Sequence, residues 1–73
     1  MPSKYPICKP SEVCAVLKKC GFQLVKQTGS HAKYTNGLNI VIVPMHCKDL
    51  KVGTLKSIIE QSGLSIDEFI KHL

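Results

Sequence analysis

The sequence predicts an α+β fold: one helix, a three-stranded antiparallel sheet, a second helix and a short final helix. Three observations carry that expectation. Val13, Val16, Leu17 and Cys20 recur at helical spacing near the start. Residues 31–43 then alternate with a period of two around Asn36-Gly37, the strongest short-range hairpin signal. Beyond Pro44 the helical period returns in Leu55, Ile58 and Ile59. An antiparallel meander with its helices on one face leaves the other face open to solvent. With 73 residues the chain is expected to form a single domain, 1–73, near the lower size limit for one hydrophobic core.

Each element follows from local chemistry. Residues 1–10 hold three prolines and read as an irregular lead-in. Ser11 is placed to cap a helix over 12–20, which Lys18, Lys19 and Gly21 would end. Residues 22–26 read as a first strand in which Phe22 and Leu24 alternate with polar positions, and 27–30 as a turn. In a second strand over 31–35, Ala32 and Tyr34 share the core face, while His31, Lys33 and Thr35 share the other. Leu38 to Val43 is a β-branched third strand closed by Pro44, and 45–53 is a polar loop. Thr54 is placed to cap a helix running to Ser62 and ending at Gly63. Ser65-Ile66-Asp67-Glu68 has capping-box spacing and opens the final helix, with Ile66, Phe69, Ile70 and Leu73 on one face.

Ten lysines stand against five acids, and arginine is absent, giving a net charge of +5. Such a balance suits nucleic acid, an acidic protein or a membrane surface as partner. Without the bidentate arginine fork, sequence-selective base reading is disfavoured. Cys8, Cys14, Cys20 and Cys47 form no Cys-x-x-Cys pair, and Cys14 and Cys20 fall within one helical pattern. No apolar signal-peptide core and no membrane-length run occurs. Reduced, partly buried thiols in a cytoplasmic protein, with no membrane association, are the expectation.

Gly29-Ser30-His31 is the segment where chemistry concentrates. It sets an imidazole at the mouth of a turn, beside a glycine that lets another backbone or a phosphate approach closely. On the alternation above, His31 and Lys33 lie together on the open face. His46, two residues past Pro44, could reach the same sheet edge or contact a partner. His72 reads as a solvated residue complementing the dipole of the last helix. Tyr34 belongs to the core rather than to a base-stacking surface, and Tyr5 has no argued role. Lys48, Lys51 and Lys56 could extend a phosphate track or simply solvate the surface. Glu12, Asp49, Glu60, Asp67 and Glu68 offer no carboxylate pair, and His46-Cys47 has no matching ligand spacing, so neither metal nor cofactor is expected.

Gly21-Phe22, Gly29-Ser30-His31, Pro44-x-His46 and Gly53-Thr54-Leu55-Lys56-x-Ile58-Ile59, with Ser62-Gly63-Leu64-Ser65-Ile66-Asp67-Glu68-Phe69 behind them, together resemble the HicA toxin family. The likeness runs from about Ser11 to Phe69. No single piece is specific, but the ordered set in a chain of this length and charge is. The resemblance implies an α-β-β-β-α fold similar to double-stranded RNA-binding domains. It implies a small ribonuclease toxin of a type II toxin–antitoxin system that cleaves mRNA and is neutralised by a HicB-like antitoxin. The family's catalytic histidine maps onto His31.

On that basis His31 is the expected general base or acid in a metal-independent endoribonuclease, with Lys33 holding phosphate, Gly29 admitting it at close range and the amide and hydroxyl of Ser30 orienting the backbone. RNA and the antitoxin are the expected partners of an otherwise monomeric toxin. A non-catalytic module binding double-stranded RNA, and a small protein whose basic face serves only an acidic partner, are the alternatives.

Overall fold

A computed structural model describes residues 5–46 and 48–73; the first four residues of the lead-in and the Cys47 thiol lie outside them. Helix α1 spans Pro10–Lys19, followed by β1 (Gln23–Thr28), β2 (His31–Thr35), β3 (Ile40–Pro44), α2 (Val52–Ser62) and α3 (Ile66–Lys71). The strands form one antiparallel sheet in the order β1-β2-β3. This is the expected α+β architecture, with α1 and α2 packed behind β3 and the outer sheet face uncovered. The shortest Cα extent is 16 Å, room for one sheet and one helix layer but not a third.

Helix α1 begins two residues earlier than Ser11 suggested. Pro10 takes the first helical position, where its fixed φ suits the helix and its missing N–H costs nothing. The Glu12 carboxylate accepts the Lys9 N–H at 2.9 Å, satisfying a donor at the helix start. At the far end Gly21 adopts φ 91°, its N–H donating to the Lys18 carbonyl while that of Phe22 donates to Leu17. That pair of bonds is the Schellman arrangement, and it accounts for Phe22. Phe22 is buried as the apolar partner of the helix end, and the strand starts one residue later than expected.

Strand β1 departs most from expectation: all six of its residues are exposed, Leu24 to 47%. Both long helices pack against β3, so β1 projects beyond their cover. In β2 the alternation holds, with Ala32 and Tyr34 buried and His31 exposed. The β2–β3 connection is longer than a two-residue Asn-Gly turn. The Asn36 side-chain oxygen accepts the N–H groups of Leu38 and Asn39 at 2.9 and 2.7 Å, which holds them in a loop. Pairing therefore resumes at Ile40 rather than Leu38.

Helix α2 starts at Val52, before Thr54, with Lys51 at its N-cap and Gly63 at its C-cap. The Asn39 amide donates to the Ser62 carbonyl at 2.7 Å and fastens that helix end to the hairpin loop. In α3 the Ser65 hydroxyl accepts the Glu68 N–H at 3.1 Å, the cap its spacing predicts. Phe69 is fully buried and Ile66 partly so, whereas Ile70 and Leu73 stay exposed, so the buried face is narrower than the apolar pattern. The core joins Val13, Val16 and Leu17 of α1 to Tyr34, Val41 and Val43 of the sheet, and to Leu55 and Ile58 of α2. Cys8 and Cys14 are buried free thiols and Cys20 is a half-buried one.

Candidate active site

Two hairpin ends build the site. Thr28 and His31 are paired, so Gly29 and Ser30 are the whole β1–β2 connection. Gly29 has φ 57° and Ser30 a negative φ, the signature of a type II′ turn, which demands glycine first. This turn fixes His31 as the first residue of β2, exposed on the outer face, with half-buried Lys33 two positions along the same face.

The third strand supplies the other half. Pro44 lies opposite His31, and the ladder continues past it through the Met45 N–H, which donates to the Ser30 carbonyl at 2.5 Å. With the period of two maintained, His46 falls on the same face as Pro44 and diagonal to His31. The two imidazole centroids lie 6.0 Å apart with the rings tilted by 56°. Met45 is also held from behind, since the Cys14 thiol of α1 donates to its sulfur at 3.7 Å. A sequence reading that ends β3 at Pro44 leaves His46 unplaced. Extending the alternation by two residues locates it.

Lys26 is a residue the sequence reading missed. Simple alternation from Leu24 would send Lys26 toward the helix side, but the ladder is irregular there. Leu24 pairs with Tyr34 and Lys26 with Lys33, so Val25 is an extra, unpaired residue. This bulge turns Lys26 to the outer face, directly opposite Lys33. Like charges facing each other across strands are unfavourable unless an anion lies between or above them. None of the three strands carries a carboxylate, all five acids being in helices or loops. The outer face thus offers two ammonium groups and two imidazoles beside exposed Ile40 and Ile42.

The remaining lysines and the third histidine lie elsewhere. Lys48, Lys51 and Lys56 are exposed in the loop and in α2, off the sheet. His72 is the C-cap of α3, and its backbone carbonyl accepts the Lys19 ammonium at 3.2 Å, so the cation at this helix end is Lys19 and not the His72 imidazole. Tyr34 is in the core, its phenol pushed up to about 12 by burial and by hydrogen bonding to the Cys14 thiol. Among the described residues no three His, Cys, Asp or Glu side chains gather as a metal site, and no pocket is enclosed. Any large ligand would lie across the surface.

A family model described as the HicA toxin of bacterial toxin–antitoxin systems matches residues 10–64. The chain belongs to the HicA toxin family. This HicA-family chain is therefore a toxin of a toxin–antitoxin system, with an antitoxin as counterpart. No curated protein matches it. The matched span contains Gly29, Ser30, His31, Lys33 and His46 and stops before α3. Among the described residues no helix is long and apolar enough to cross a membrane.

Proposed function

We propose that this toxin is a metal-independent endoribonuclease that cleaves mRNA on the outer sheet face. The observation that carries the reading is the exposed His31 imidazole on a lysine-bearing face with no carboxylate on its strands. Breaking an RNA phosphodiester requires moving a proton off the attacking hydroxyl, onto the leaving oxygen, and stabilising charge on phosphorus. Imidazole, with an ordinary pKa of about 6.5, exchanges protons near neutrality. His31 acts as general base or acid, and Lys33 stabilises the charge that develops on the phosphate. At the tight turn, Gly29 lets the RNA backbone come close, and the Ser30 hydroxyl orients it.

A HicB-like antitoxin neutralises the toxin by covering this face. Exposed Ile40 and Ile42 support that part of the reading, because they give a protein partner apolar surface beside the charged groups. Induced expression in a bacterial host should arrest growth with fragmentation of mRNA. His31→Ala should abolish both while the folded protein still accumulates, and purified protein should cut RNA in the presence of EDTA. Equal toxicity from His31→Ala would remove the catalytic assignment. Binding of duplex RNA with a steep salt dependence but no cleavage would instead favour a non-catalytic RNA-binding module.

A further inference from the structure

Acid–base cleavage needs two proton transfers at two different oxygens, and His31 alone accounts for one at a time. The second group must lie within hydrogen-bond reach of the same phosphodiester. We infer that His46 is that group, and that His31 and His46 work as an acid–base pair across one scissile phosphate. This inference rests on the endoribonuclease reading above and specifies its chemistry.

The placement carries it. His31 opens β2 and His46 follows the end of β3, yet the register sets them diagonally on one face with ring centroids 6.0 Å apart. Both are exposed, and neither ring makes a hydrogen bond within the described residues. Rings this far apart are close enough to flank a single phosphodiester, one toward each of the two oxygens that exchange protons. Two separate restraints keep His46 there: the Met45 N–H bonded to Ser30, and the Met45 sulfur bonded to Cys14. The charged groups sharing this face are Lys26 and Lys33, and the loop after His46 adds Lys48 and Asp49. Glu12, Lys18, Lys19, Lys56 and Glu60 belong to the helices behind the sheet.

The step then balances without a co-reactant. The ribose 2′-oxygen attacks phosphorus and its proton passes to the neutral imidazole. The bond from phosphorus to the 5′-oxygen breaks, and that oxygen takes a proton from the imidazolium. The products are a 2′,3′-cyclic phosphate on one fragment and a 5′-hydroxyl on the other. One ring must begin neutral and the other protonated, so the rate should rise and fall with pH as a bell.

The test uses the whole purified chain and an RNA oligonucleotide cut at one mapped position. Wild type should give the cyclic phosphate and a bell-shaped profile, and should not cut when the attacking 2′-hydroxyl is replaced by hydrogen. His46→Ala should lose about 10²–10⁴-fold in rate and one limb of the bell. A substrate with sulfur in place of the bridging 5′-oxygen leaves without needing a proton. It should restore one of His46→Ala and His31→Ala, whichever lacks the acid, and not the other.

Wild-type rate and both limbs retained in His46→Ala would overturn the pair while leaving His31 and the nuclease reading intact. So would an equal loss on both substrates with the bell unchanged, the mark of a merely structural role. Should His46→Ala fail to fold, His46→Asn keeps a polar side chain that transfers no proton and is read the same way. Wild type that cuts no RNA would instead remove the nuclease reading itself.

Discussion

Tyr34 shows how one strand serves two environments. Its neighbours in β2 face solvent, yet its own ring is only 4% exposed and its phenol touches the α1 thiol of Cys14. Burial, and then hydrogen bonding to Cys14, pushes its pKa from 10.0 up to about 12. A phenol that ionises less readily in the folded chain adds stability below its unfolded pKa. That increment is lost as pH climbs from 10.0 toward about 12. Burial also raises the Cys8 and Cys20 thiols, the latter beside Glu68, so they act in the same direction from 9.0 upward. Denaturant unfolding at several alkaline pH values should therefore show wild-type stability falling through this window. Tyr34→Phe should fall less steeply there, the residual slope being that of the thiols. Identical slopes would mean that the phenol is no harder to ionise when folded.

The bulge in β1 decides where a lysine goes, and its effect can be measured. If Lys26 is aimed at an anion, Lys26→Gln should weaken RNA binding with little dependence on sequence. The slope of log affinity against log salt should drop by about one for a lost phosphate contact. Because the change also relieves the repulsion with Lys33, the melting temperature should hold or rise slightly. Unchanged binding together with a lower melting temperature would make Lys26 a structural residue. The strands also show what pattern reading can and cannot see. In β2, one face is packed and one wet, so the period of two marks His31 and Lys33 correctly. In β1, neither face is covered, so burial writes no period into the residues and an extra Val25 passes unnoticed. Phe22 looked like the first residue of that strand because a helix-end apolar contact and a strand position use the same kind of side chain. The loop at Asn36 misled for a similar reason: Asn-Gly signals a turn, while the bonds of the Asn36 side chain set its length.

Taken whole, the molecule depends on its last short helix more than the family match suggests. The matched span ends at 64, yet Phe69 beyond it is fully buried in the common core. A chain of 73 residues has little stability to lose, natural domains holding only about 5–15 kcal/mol in total. Phe69→Ala removes the largest fully buried side chain and should cost about 3–5 kcal/mol. In a domain this small, thermal melting followed by circular dichroism should drop by on the order of 15 °C or more. A drop of only a few degrees would show that α3 is an accessory to the fold. The charge is unevenly shared in the same way: the helices and loops carry every acid, and the sheet carries lysine alone. A polyanion approaching the outer face meets no carboxylate on the strands, which also makes salt concentration a lever on its encounter rate.

The amide of Met45 bonded to the Ser30 carbonyl is the terminal rung between β2 and β3. Terminal rungs open far more often than central ones, because little else must unfold with them. Ser30 adjoins His31 and Met45 adjoins His46, so this rung ties together the two segments that carry the imidazoles. The placement of the two rings thus leans on this backbone bond and on the contact of Met45 with the Cys14 thiol. A phosphate touching both rings would close the same bond in return, since whatever binds only the closed form holds it closed. Binding of such a phosphate and fraying of this strand end would then oppose each other.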